Sequence, residues 1–584
     1  MGYLLPRYKK AVIEDIVNSI SSNASYYYAF VSNPVPTISG EADPITTDEY
    51  TTIFNSDWNM IFGKRITNND ILPVIKNISW NSNTVYDIYN NRDENLYEKN
   101  YYVVCDPDVI GGSHNVFMCL DNANNSPSTI KPTTVQNTSF KNNDGYTWRY
   151  VASISDALYK KFSANGYSPI YANTTLSLDA PYYSGIDVVV VANGGTDYRA
   201  YTNGTILSNP QANILQISTI DSQSNNGIYT NCGIYVYTTG YNTAELKTVT
   251  DYIVNASGRW ISVEGNGVNT NNIIPGVTEY IISPRVVFES DGDEDPIAYS
   301  VVNNQTNAIS SIVVTSPGFN ISRANVSILP ARYGSGANLY PIAPPPGGYG
   351  FDPISELNVK GFSVSFVFNT NENNTIPIDL TYNRIGLLKN PYAANTETGE
   401  KTIQPYAIQT FNQLLKTHMS PAVTYSIGDK VIGQNSSAMG VVSYINTGSR
   451  ILYGTISSSG TLVTGTGTAF TTDFVIGDQI TANSVTRTVT IINTDTSLVV
   501  DTSWPTDLSG EYYQGTGSIL YLVGDKNFTN NETISSNTGV STSISITDRG
   551  KVYTKDIEPL YIQNISNVLR SNNQSESYKL IVQI

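Results

Sequence analysis

Short runs of β-branched and aromatic residues, broken by glycine-containing turns, recur along this sequence and constrain its fold more than any other feature. Residues 101–104 and 115–120 are two such runs with a Gly-Gly pair between them, and this arrangement predicts a hairpin-like pair of strands. Residues 187–191 form another run, and Asn193-Gly194-Gly195 after it predicts a turn. A chain built largely from such runs is predicted to be mainly β.

Three segments have the spacing of a helix, and they predict a few peripheral helices. Residues 8–20 carry apolar side chains at helical spacing, with charged residues on the other face. Residues 156–162 and 404–417 are the other two candidates. The apolar positions of the last candidate are Ile408, Phe411, Leu414 and Leu415.

Charged side chains are scarce, and acidic ones outnumber basic ones. The 584 residues include 33 Lys and Arg and 49 Asp and Glu, a formal net charge of −16, yet only 14% of residues are charged. Ordinary globular domains carry about 25%, so neutral polar groups, among them 42 tyrosines, must cover the surface. A nucleic-acid partner is not predicted, because binding phosphates requires clustered Lys and Arg.

The cysteines and the apolar runs bear on the compartment. Cys105, Cys119 and Cys232 form an odd and sparse set, which predicts no disulfide framework and favours assembly in a reducing compartment. No run approaches the roughly 18 apolar residues of a membrane-spanning helix, and acidic residues interrupt the apolar stretch near the N-terminus. We therefore expect neither membrane insertion nor a signal peptide.

Two β-rich segments are predicted to be inserted modules with small barrel-like or sandwich-like folds. The first spans residues 185–350. Its opening V-V-V-V-A-N-G-G-T-D-Y (188–198) and its later I-V-V-T-S-P-G-F-N (312–320) share a β-branched run, a glycine turn and an aromatic residue. This similarity hints at a duplicated β unit. The Pro- and Gly-rich stretch 343–348 is typical of a linker or boundary.

The second β-rich segment, residues 421–550, repeats itself. Gly428-Asp429, Gly477-Asp478 and Gly524-Asp525 stand 49 and then 47 residues apart, and an aromatic residue precedes each pair. Each Gly-Asp pair predicts a turn that leads into a strand-rich stretch, and the spacing is compatible with small barrel or sandwich units. The aromatic residues are Tyr425, Phe474 and Tyr521.

One acidic cluster is dense enough to raise the question of a metal ion. Asp291, Asp293 and Asp295, together with two glutamates, could bind a hard cation such as calcium through carboxylate oxygens. The EF-hand pattern fails, because Pro296 and Val302 occupy the positions of its glycine and its bidentate glutamate. We favour a solvated, turn-forming loop. The sequence does not decide whether this loop holds a cation, and it predicts no metal site or cofactor.

Catalytic motifs are not recognisable. His114 and His418 are far apart, and His418 falls at the end of the predicted helix 404–417, where contact with the last carbonyls is an ordinary role. No nucleophile motif surrounds a serine or a cysteine, and no carboxylate pair stands out as that of a glycosidase. We predict that the chain is not an enzyme and has no catalytic residue.

Adjacent tyrosines have two interpretations. They could pave a carbohydrate-binding groove, or they could supply core and protein-interface contacts, where a large ring is buried while its hydroxyl finds a partner. Neighbouring residues of a strand point to opposite faces, so each pair can provide one core ring and one surface ring. We favour core and interface. The tyrosine groups are Tyr26-Tyr27-Tyr28, Tyr101-Tyr102, Tyr182-Tyr183 and Tyr512-Tyr513.

The stretch D-G-Y-T-W-R-Y at 144–150 resembles a hallmark of the homodimeric β-sandwich baseplate wedge subunits of T-even-like contractile-tailed phages. Other stretches resemble the same family in the same order. Gln563 and Ile565 depart from its closing I-Y-x-E-N-R pattern, which puts any salt bridge of those residues in doubt. The other stretches are Y-K-K-A-V in the first helix, Y-A-F-V-S (28–32) before a Pro-rich loop, Trp58-Asn59-Met60-Ile61 beginning a short helix, Lys64-Arg65 before Asp70-Ile71, V-V-C and C-L-D in 103–121, Y-G-F-D-P (349–353), R-I-G-L-L-K-N-P (384–391) and 560–582.

The resemblance covers about half the chain and implies a division into five parts. Residues 1–184, 351–420 and 551–584 resemble the wedge subunit and would form a β-sandwich core. Residues 185–350 and 421–550 depart from it and are predicted insertions, which loops on a rigid scaffold tolerate. Deleting 421–550 is therefore expected to leave a dimer intact.

The function implied by the resemblance is that of a structural subunit of the virion's tail baseplate, assembled in the host cytoplasm. It would form a homodimer in each wedge, contact neighbouring wedge proteins and take part in rearrangement during contraction. Tail-fibre-attachment proteins are further candidate partners, and the insertions would decorate the exterior. The alternative is a receptor-binding adhesin or tail fibre that recognises host-surface glycans. A polysaccharide depolymerase is a third possibility.

Overall fold

The computed structural model describes the chain except for residues 1–4, 34–45, 48, 173, 200–201, 219–222, 238–244, 370–371, 373–379, 395–400, 406, 420–423, 525–526, 551, 554–556, 558 and 571–573. About 50% of the chain is strand and 10% is helix, and many of the sheets are antiparallel. The predicted fold class, mainly β with few peripheral helices and small barrels, is confirmed. The Pro-rich loop after residue 32, Asp525 and the boundary at 421 lie outside the described residues.

Helices are most frequent near the N-terminus. The first 184 residues form α1 (Pro6–Ser21), β1 (Tyr27–Ser32), α2 (Tyr50–Trp58), β2 (Met60–Ile66), β3 (Ile71–Lys76), β4 (Tyr102–Cys105), β5 (His114–Asn122), β6 (Phe140–Lys141), β7 (Tyr146–Ile154), α3 (Asp156–Phe162), β8 (Tyr167–Pro169) and α4 (Thr174–Asp179). Residues 185–350 form β9 (Val189–Thr196), β10 (Thr202–Gln211), β11 (Ile214–Ile217), β12 (Cys232–Tyr237), β13 (Glu245–Asn255), β14 (Gly258–Val263), β15 (Glu279–Pro284), β16 (Val286–Ser290), β17 (Ile297–Asn303), β18 (Ala308–Ser316), β19 (Ala324–Ile328) and β20 (Ser335–Pro341).

The rest of the chain is almost entirely strand. Residues 351–420 form α5 (Pro353–Glu356), β21 (Gly361–Phe368), β22 (Leu380–Lys389), β23 (Tyr392–Ala394), β24 (Lys401–Pro405), β25 (Thr410–Asn412) and β26 (Leu415–Met419). Residues 421–584 form β27 (Lys430–Gly433), β28 (Met439–Asn446), β29 (Ser449–Ile451), β30 (Thr455–Ser459), β31 (Leu462–Thr466), α6 (Phe470–Asp473), β32 (Gln479–Ala482), β33 (Val485–Thr494), β34 (Ser497–Val500), β35 (Tyr513–Thr516), β36 (Ser518–Gly524), β37 (Thr533–Ser536), β38 (Ser541–Asp548), β39 (Val552–Tyr553), β40 (Pro559–Arg570) and β41 (Glu576–Gln583).

Two of the predicted helices are confirmed and one is wrong. Helices α1 and α3 cover the predicted segments 8–20 and 156–162. Residues 404–417 instead contain β25 and the start of β26. Phe411 of β25 is buried, and Gly63 on the neighbouring strand leaves the room that its ring needs. Pairing with distant strands decided the conformation here, because apolar residues three apart can also occupy the buried faces of two short strands.

The resemblance also misplaced a helix at Trp58. Helix α2 ends at Trp58, and strand β2 begins two residues later at Met60. None of the helices in the described part of the chain combines the length and the apolar character needed to cross a membrane.

The chain divides into two compact units. Unit 1 comprises Met1–Ile13, Leu72–Ser363 and Gln583–Ile584, and unit 2 comprises Glu14–Ile71 and Val364–Val582. In unit 1, strands β4, β5, β7 and β6 form one antiparallel sheet in that order. The first two strands are the predicted hairpin-like pair, with Tyr102 opposite Met118 and Val104 opposite Val116.

Unit 1 also contains a closed six-stranded barrel, in the order β10-β11-β14-β13-β12-β15. Buried residues such as Ile206, Leu215, Ile234 and Tyr252 fill its core. Three further strand pairs, β16-β19, β17-β18 and β20-β9, pack around a second small core. This core includes Val189 and Ile312, one from each of the two similar stretches that suggested a duplicated unit.

The predicted turn at 193–195 is wrong, because strand β9 runs through it to Thr196. Gly194 lies opposite Ala337 of β20. A side chain at Gly194 would meet the carbonyl oxygen of Ile309 at 2.2 Å. The glycines here permit close approach of another backbone instead of a reversal of the chain.

Part of the stretch 343–348 is packed against the rest of unit 1. Pro344 and Pro345 are buried, and a side chain at Gly348 would lie 2.3 Å from the carbonyl oxygen of Ala180. Gly347 and Gly348 have φ near +90°, a region that favours glycine. The glycines therefore serve a tight turn against neighbouring backbone.

Unit 2 is built on a five-stranded sheet in the order β25-β2-β1-β22-β40. Strand β1 lies between β2 and β22, and its six residues are all buried. A second closed six-stranded barrel, β26-β36-β28-β27-β37-β38, follows along the chain. A seven-stranded sheet, β29-β35-β32-β33-β34-β31-β30, lies between its strands in sequence and has its own core around Phe470, Phe474 and Trp504.

Candidate functional site

The stretch at 144–150 forms a hydrogen-bonded clamp on a neighbouring loop. Asp144 Oδ2 accepts hydrogen bonds from the backbone N–H groups of Thr129 (2.8 Å) and Ile130 (3.0 Å) and from Ser128 Oγ (3.2 Å). Desolvation raises the pKa of Asp144, but these hydrogen bonds outweigh it and hold the pKa below its ordinary value. Trp148 of the same stretch is fully buried. These residues fix the local structure.

Arg149 of this stretch is a fully buried cation. Its Nη2 donates to the carbonyl oxygen of Tyr183 at 3.1 Å, Nη1 lies 3.9 Å from Asp187 Oδ2, and the guanidinium lies over the ring of Tyr349. Asp187 in turn accepts a 2.5 Å hydrogen bond from Ser139 Oγ. The pair therefore ties the stretch at 144–150 to the first residues of the segment predicted as an insertion.

Burial raises the pKa values of two acids in this network. Desolvation raises the pKa of Asp187, although the Arg149 charge opposes it. Desolvation also raises the pKa of Glu356 to about 7, despite hydrogen bonds from the backbone N–H groups of Gly350 (2.8 Å) and Asp352 (2.7 Å). Each of these charges depends on one or a few partners, which is the arrangement of a structural buried network.

The aspartates of the acidic loop at 291–295 accept hydrogen bonds from neighbouring residues of the chain. Asp291 accepts hydrogen bonds from Ser322 Oγ (2.5 Å) and from the backbone N–H groups of Ser322 (2.9 Å) and Arg323 (2.8 Å). These bonds lower the pKa of Asp291 to about 2. Asp293 accepts from Asn320, and Asp295 from Ser290. In the described ranges, no group of three or more His, Cys, Asp and Glu residues is arranged to hold a metal ion.

His114 and the cysteines lie in packed surroundings. The imidazole of His114 stacks on the Tyr159 ring at 3.7 Å between centroids and lies 3.2 Å from Asp106 and 3.6 Å from Asp156. All three cysteines are buried and free. Desolvation raises the pKa of Cys105 and of Cys232 to about 12, so these residues are thiols at neutral pH and poor nucleophiles.

His418 belongs to a buried polar cluster and not to the end of a helix, because residues 415–419 form strand β26. Its Nδ1 lies 3.5 Å from Asp478 Oδ2, and neither ring nitrogen makes a hydrogen bond. Arg450 donates to the carbonyl oxygen of Asp473 at 3.1 Å. Burial lowers the pKa of Lys416 and of Arg450 and raises that of Asp473. The cluster was not recognisable in the sequence, since its members come from four separate elements.

The Gly-Asp repeat is a structural repeat at two of its three predicted positions. Asp429 accepts the backbone N–H of Ser426 at 2.8 Å, and Asp478 accepts that of Val475 at 3.0 Å. The glycine before each acid has a positive φ, +93° and +99°, and donates its N–H to the strand that returns, at Val442 and Val489 respectively. Each turn leads into a hairpin, β27-β28 or β32-β33.

The third copy of this turn lies seven residues after the predicted one. Gly524 ends strand β36, whereas Glu532 accepts the backbone N–H of Thr529 at 2.5 Å. Asn531 supplies the positive φ, +65°, and donates its N–H to Ile544. The hairpin β37-β38 follows. Asn tolerates the left-handed region better than other residues with side chains, so Asn-Glu is equivalent here to Gly-Asp.

Four strands of the seven-stranded sheet share an exposed face whose side chains are uncharged. Across β29, β35, β32 and β33, the strand register aligns these side chains in two rows. Tyr453, Tyr512 and Asn483 lie just beyond the paired residues at one end of the rows, and Tyr513 Oη donates to the Tyr453 carbonyl oxygen at 2.9 Å. We call the residues of the two rows and these three residues the tyrosine face. Its rows are Ser449-Thr516-Gln479-Thr488 and Ile451-Gln514-Thr481-Thr486.

The tyrosine pairs differ in their environments. Tyr513 is buried in the core of the seven-stranded sheet while Tyr512 is 81% exposed, so this pair supplies one core ring and one surface ring as predicted. Tyr101 and Tyr102 are both buried, which contradicts the prediction for that pair. Tyr101 precedes strand β4, and its hydroxyl donates to the Glu356 carbonyl at 2.7 Å.

A scan against models of known protein families and a search of curated proteins both found no match.

Proposed function

We propose that the chain is a non-enzymatic structural subunit of a contractile phage tail baseplate, acting as a homodimer in the wedge. The observation that carries the proposal is the origin of the five-stranded sheet of unit 2. Strands β1 and β2 come from residues 1–184, β22 and β25 from 351–420, and β40 from 551–584. The three segments that resemble the wedge subunit are far apart in sequence and share this sheet.

One buried side chain joins the same three segments. Arg384 Nε donates to Asn564 Oδ1 at 2.8 Å, and Arg384 Nη1 donates to Ser56 Oγ at 3.2 Å. The arginine is fully buried. Arg384 and Asn564 both lie in stretches that resemble the wedge family, and hydrogen bonds to a buried charge are costly to lose. This contact supports a common scaffold for the three segments.

The long segments between these three each include a closed β-barrel. Each barrel has six strands, and the second barrel takes its first strand, β26, from before residue 421. Closed barrels leave no sheet edge to be completed by the scaffold. This closure supports the proposal that both segments are additions to a wedge-like scaffold.

The chemistry of the buried polar groups is compatible with a structural role. The histidines and cysteines are buried in packed surroundings, and the thiol pKa values are raised by burial. The scarcity of charge also suits an assembly protein, because few charges must be desolvated when its surface packs against neighbours.

Light scattering and imaging test the proposal. The purified chain should have twice its monomer mass of 63.8 kDa, and gold-labelled antibody against it should bind the baseplates of purified phage tails. A stable trimer, with label confined to fibres, would support the competing adhesin instead. Turnover of envelope glycan by the isolated protein would support a depolymerase.

A further inference from the structure

The tyrosine face lies on paired strands and is open to solvent. Ile451, Tyr453 and Tyr512 are 79%, 64% and 81% exposed, so the described residues leave this face largely uncovered. Four adjacent strands span about 15 Å at about 4.8 Å per strand, and its rows are about 7 Å apart along the strands. Antiparallel pairing on both sides of β35 and β32 holds the face in place.

The face carries donors and acceptors but no charge. Its eleven positions hold seven hydroxyl side chains, three amides and one isoleucine. Ser449 Oγ donates to Gln514 Oε1 at 2.7 Å, and the hydroxyls of Thr481 and Thr486 are 2.8 Å apart. These contacts orient the side chains in advance, which lowers the entropic cost of binding a ligand.

The absence of charge selects the class of partner. An anionic partner would find no cation on the face and would be repelled by a chain of net charge −16. A cationic partner would find no carboxylate among the eleven residues, and Asp501 at the edge of the face accepts the Thr488 N–H at 2.9 Å. A neutral polymer rich in hydroxyl groups can exchange hydrogen bonds with the threonine, serine and amide side chains. Its apolar C–H surface can also rest on an exposed tyrosine ring, whose edge carries a polar hydroxyl.

We propose that the tyrosine face binds a neutral glycan chain, with Tyr453 and Tyr512 as the platform and Gln514 as a hydrogen-bonding residue beside it. The proposal is independent of the wedge role, because it concerns a surface outside the five-stranded sheet. It gives the second β-rich segment a task that the scaffold does not require.

Binding to immobilised neutral oligosaccharides of glucose, galactose, mannose and N-acetylglucosamine tests this proposal, with sialylated and sulfated oligosaccharides alongside. The full chain should bind at least one neutral member. Tyr512→Ala and Tyr453→Ala should each weaken that binding at least tenfold, and Gln514→Ala should weaken it less. Tyr50→Ala is the matched control, because Tyr50 is an equally exposed tyrosine, 77%, in helix α2.

The outcomes separate the partners. The tyrosine substitutions are on the surface, so unchanged thermal unfolding is expected, and a loss of binding then reports on the face itself. No binding to any neutral member, equal binding by Tyr512→Ala, or binding only to the anionic members overturns the proposal. If Tyr512→Ala instead converts a dimer into a monomer in light scattering, the face is a protein interface and the proposal is also overturned.

Discussion

His418 Nδ1 lies 3.5 Å from Asp478 Oδ2, with both side chains buried and no hydrogen bond between them. Burial, with the nearby charges of Lys416 and Arg450, lowers the pKa of His418 to about 3. Burial also raises the pKa of Asp478 to about 6, although the Val475 N–H and the Arg450 charge oppose this shift. Both pKa shifts favour the neutral form of the residue. Because one residue is a base and the other an acid, their contributions to stability change in opposite directions with pH.

The opposing shifts predict that His418 and Asp478 together add little pH dependence to the stability in mildly acidic solution. Unfolded Asp and His have pKa values of about 3.9 and about 6.5. Between about pH 4 and pH 6 the folded chain holds the Asp478 proton more tightly, so this group loses stabilising effect as pH rises. In the same range His418 binds a proton more readily in the unfolded chain than in the folded chain. Its contribution to stability therefore increases as pH rises. Each slope is at most about 1.4 kcal/mol per pH unit, and the two cancel.

Single substitutions should expose each slope. In Asp478→Asn, the stability of the seven-stranded sheet should rise with pH from 4 to 6, because Asp478 no longer offsets the contribution of His418. In His418→Gln it should fall with pH over that range. Hydrogen exchange of residues 475–500 at each pH measures the local stability. Asp429→Asn, at the equivalent turn position, should keep the profile of the unmodified chain, and parallel profiles for all three variants would contradict the assignment.

The Arg149–Asp187 pair predicts a strong dependence of one substitution on the other. Arg149→Met leaves Asp187 buried without its cation and should lower the free energy of unfolding by about 3–5 kcal/mol. Adding Asp187→Asn to that variant should recover much of the loss, because the asparagine carries no charge and can still accept from Ser139. Calorimetric unfolding of the single and double variants measures this coupling. Additive losses would show that the two side chains do not interact.

The sequence was informative where the pattern is local. Residues 8–20 and 156–162 show helical spacing and form helices, and the β-branched runs form strands. It failed where distant strands decide the outcome. The apolar spacing in 404–417 suits a helix, but Phe411 packs over Gly63 and Leu415 enters a barrel.

The third repeat failed for a related reason. A search for Gly-Asp pairs selected Gly524-Asp525. The turn itself requires a residue that tolerates positive φ, followed by an acid that accepts the backbone N–H of the residue three positions earlier. Asn531-Glu532 meets both requirements with different residue types. The contacts of Arg384 with Ser56 and Asn564 carried no sequence signal, because these residues are 328 and 180 positions away from it in the chain.

The acids of the repeated turns differ in the number of hydrogen bonds that they accept. Glu532 accepts four hydrogen bonds, from Thr529, from Asn435 and from the backbone and hydroxyl of Ser436. Asp429 accepts one from Ser426. Glu532→Ala should therefore lower the unfolding free energy by about 3 kcal/mol or more, against about 1 kcal/mol for Asp429→Ala. Thermal unfolding measures both losses. Glu532→Gln should lie between them, and equal losses for the two alanine variants would contradict this ranking.

The bounds of the second barrel refine the deletion that tests modularity. Cutting at residue 421 would leave β26 without its barrel neighbours β36 and β38, exposing Leu415 and Met419, which belong to the barrel core. Replacing residues 415–550 by a flexible Gly/Ser linker removes the barrel and the seven-stranded sheet together. The shortened chain should keep the oligomeric state that the full chain has in light scattering, and β1 and β22 should stay protected from hydrogen exchange. Deletion of 421–550 should give a less soluble protein. If the five-stranded sheet loses protection in the 415–550 variant, the segment is part of the scaffold and not an addition to it.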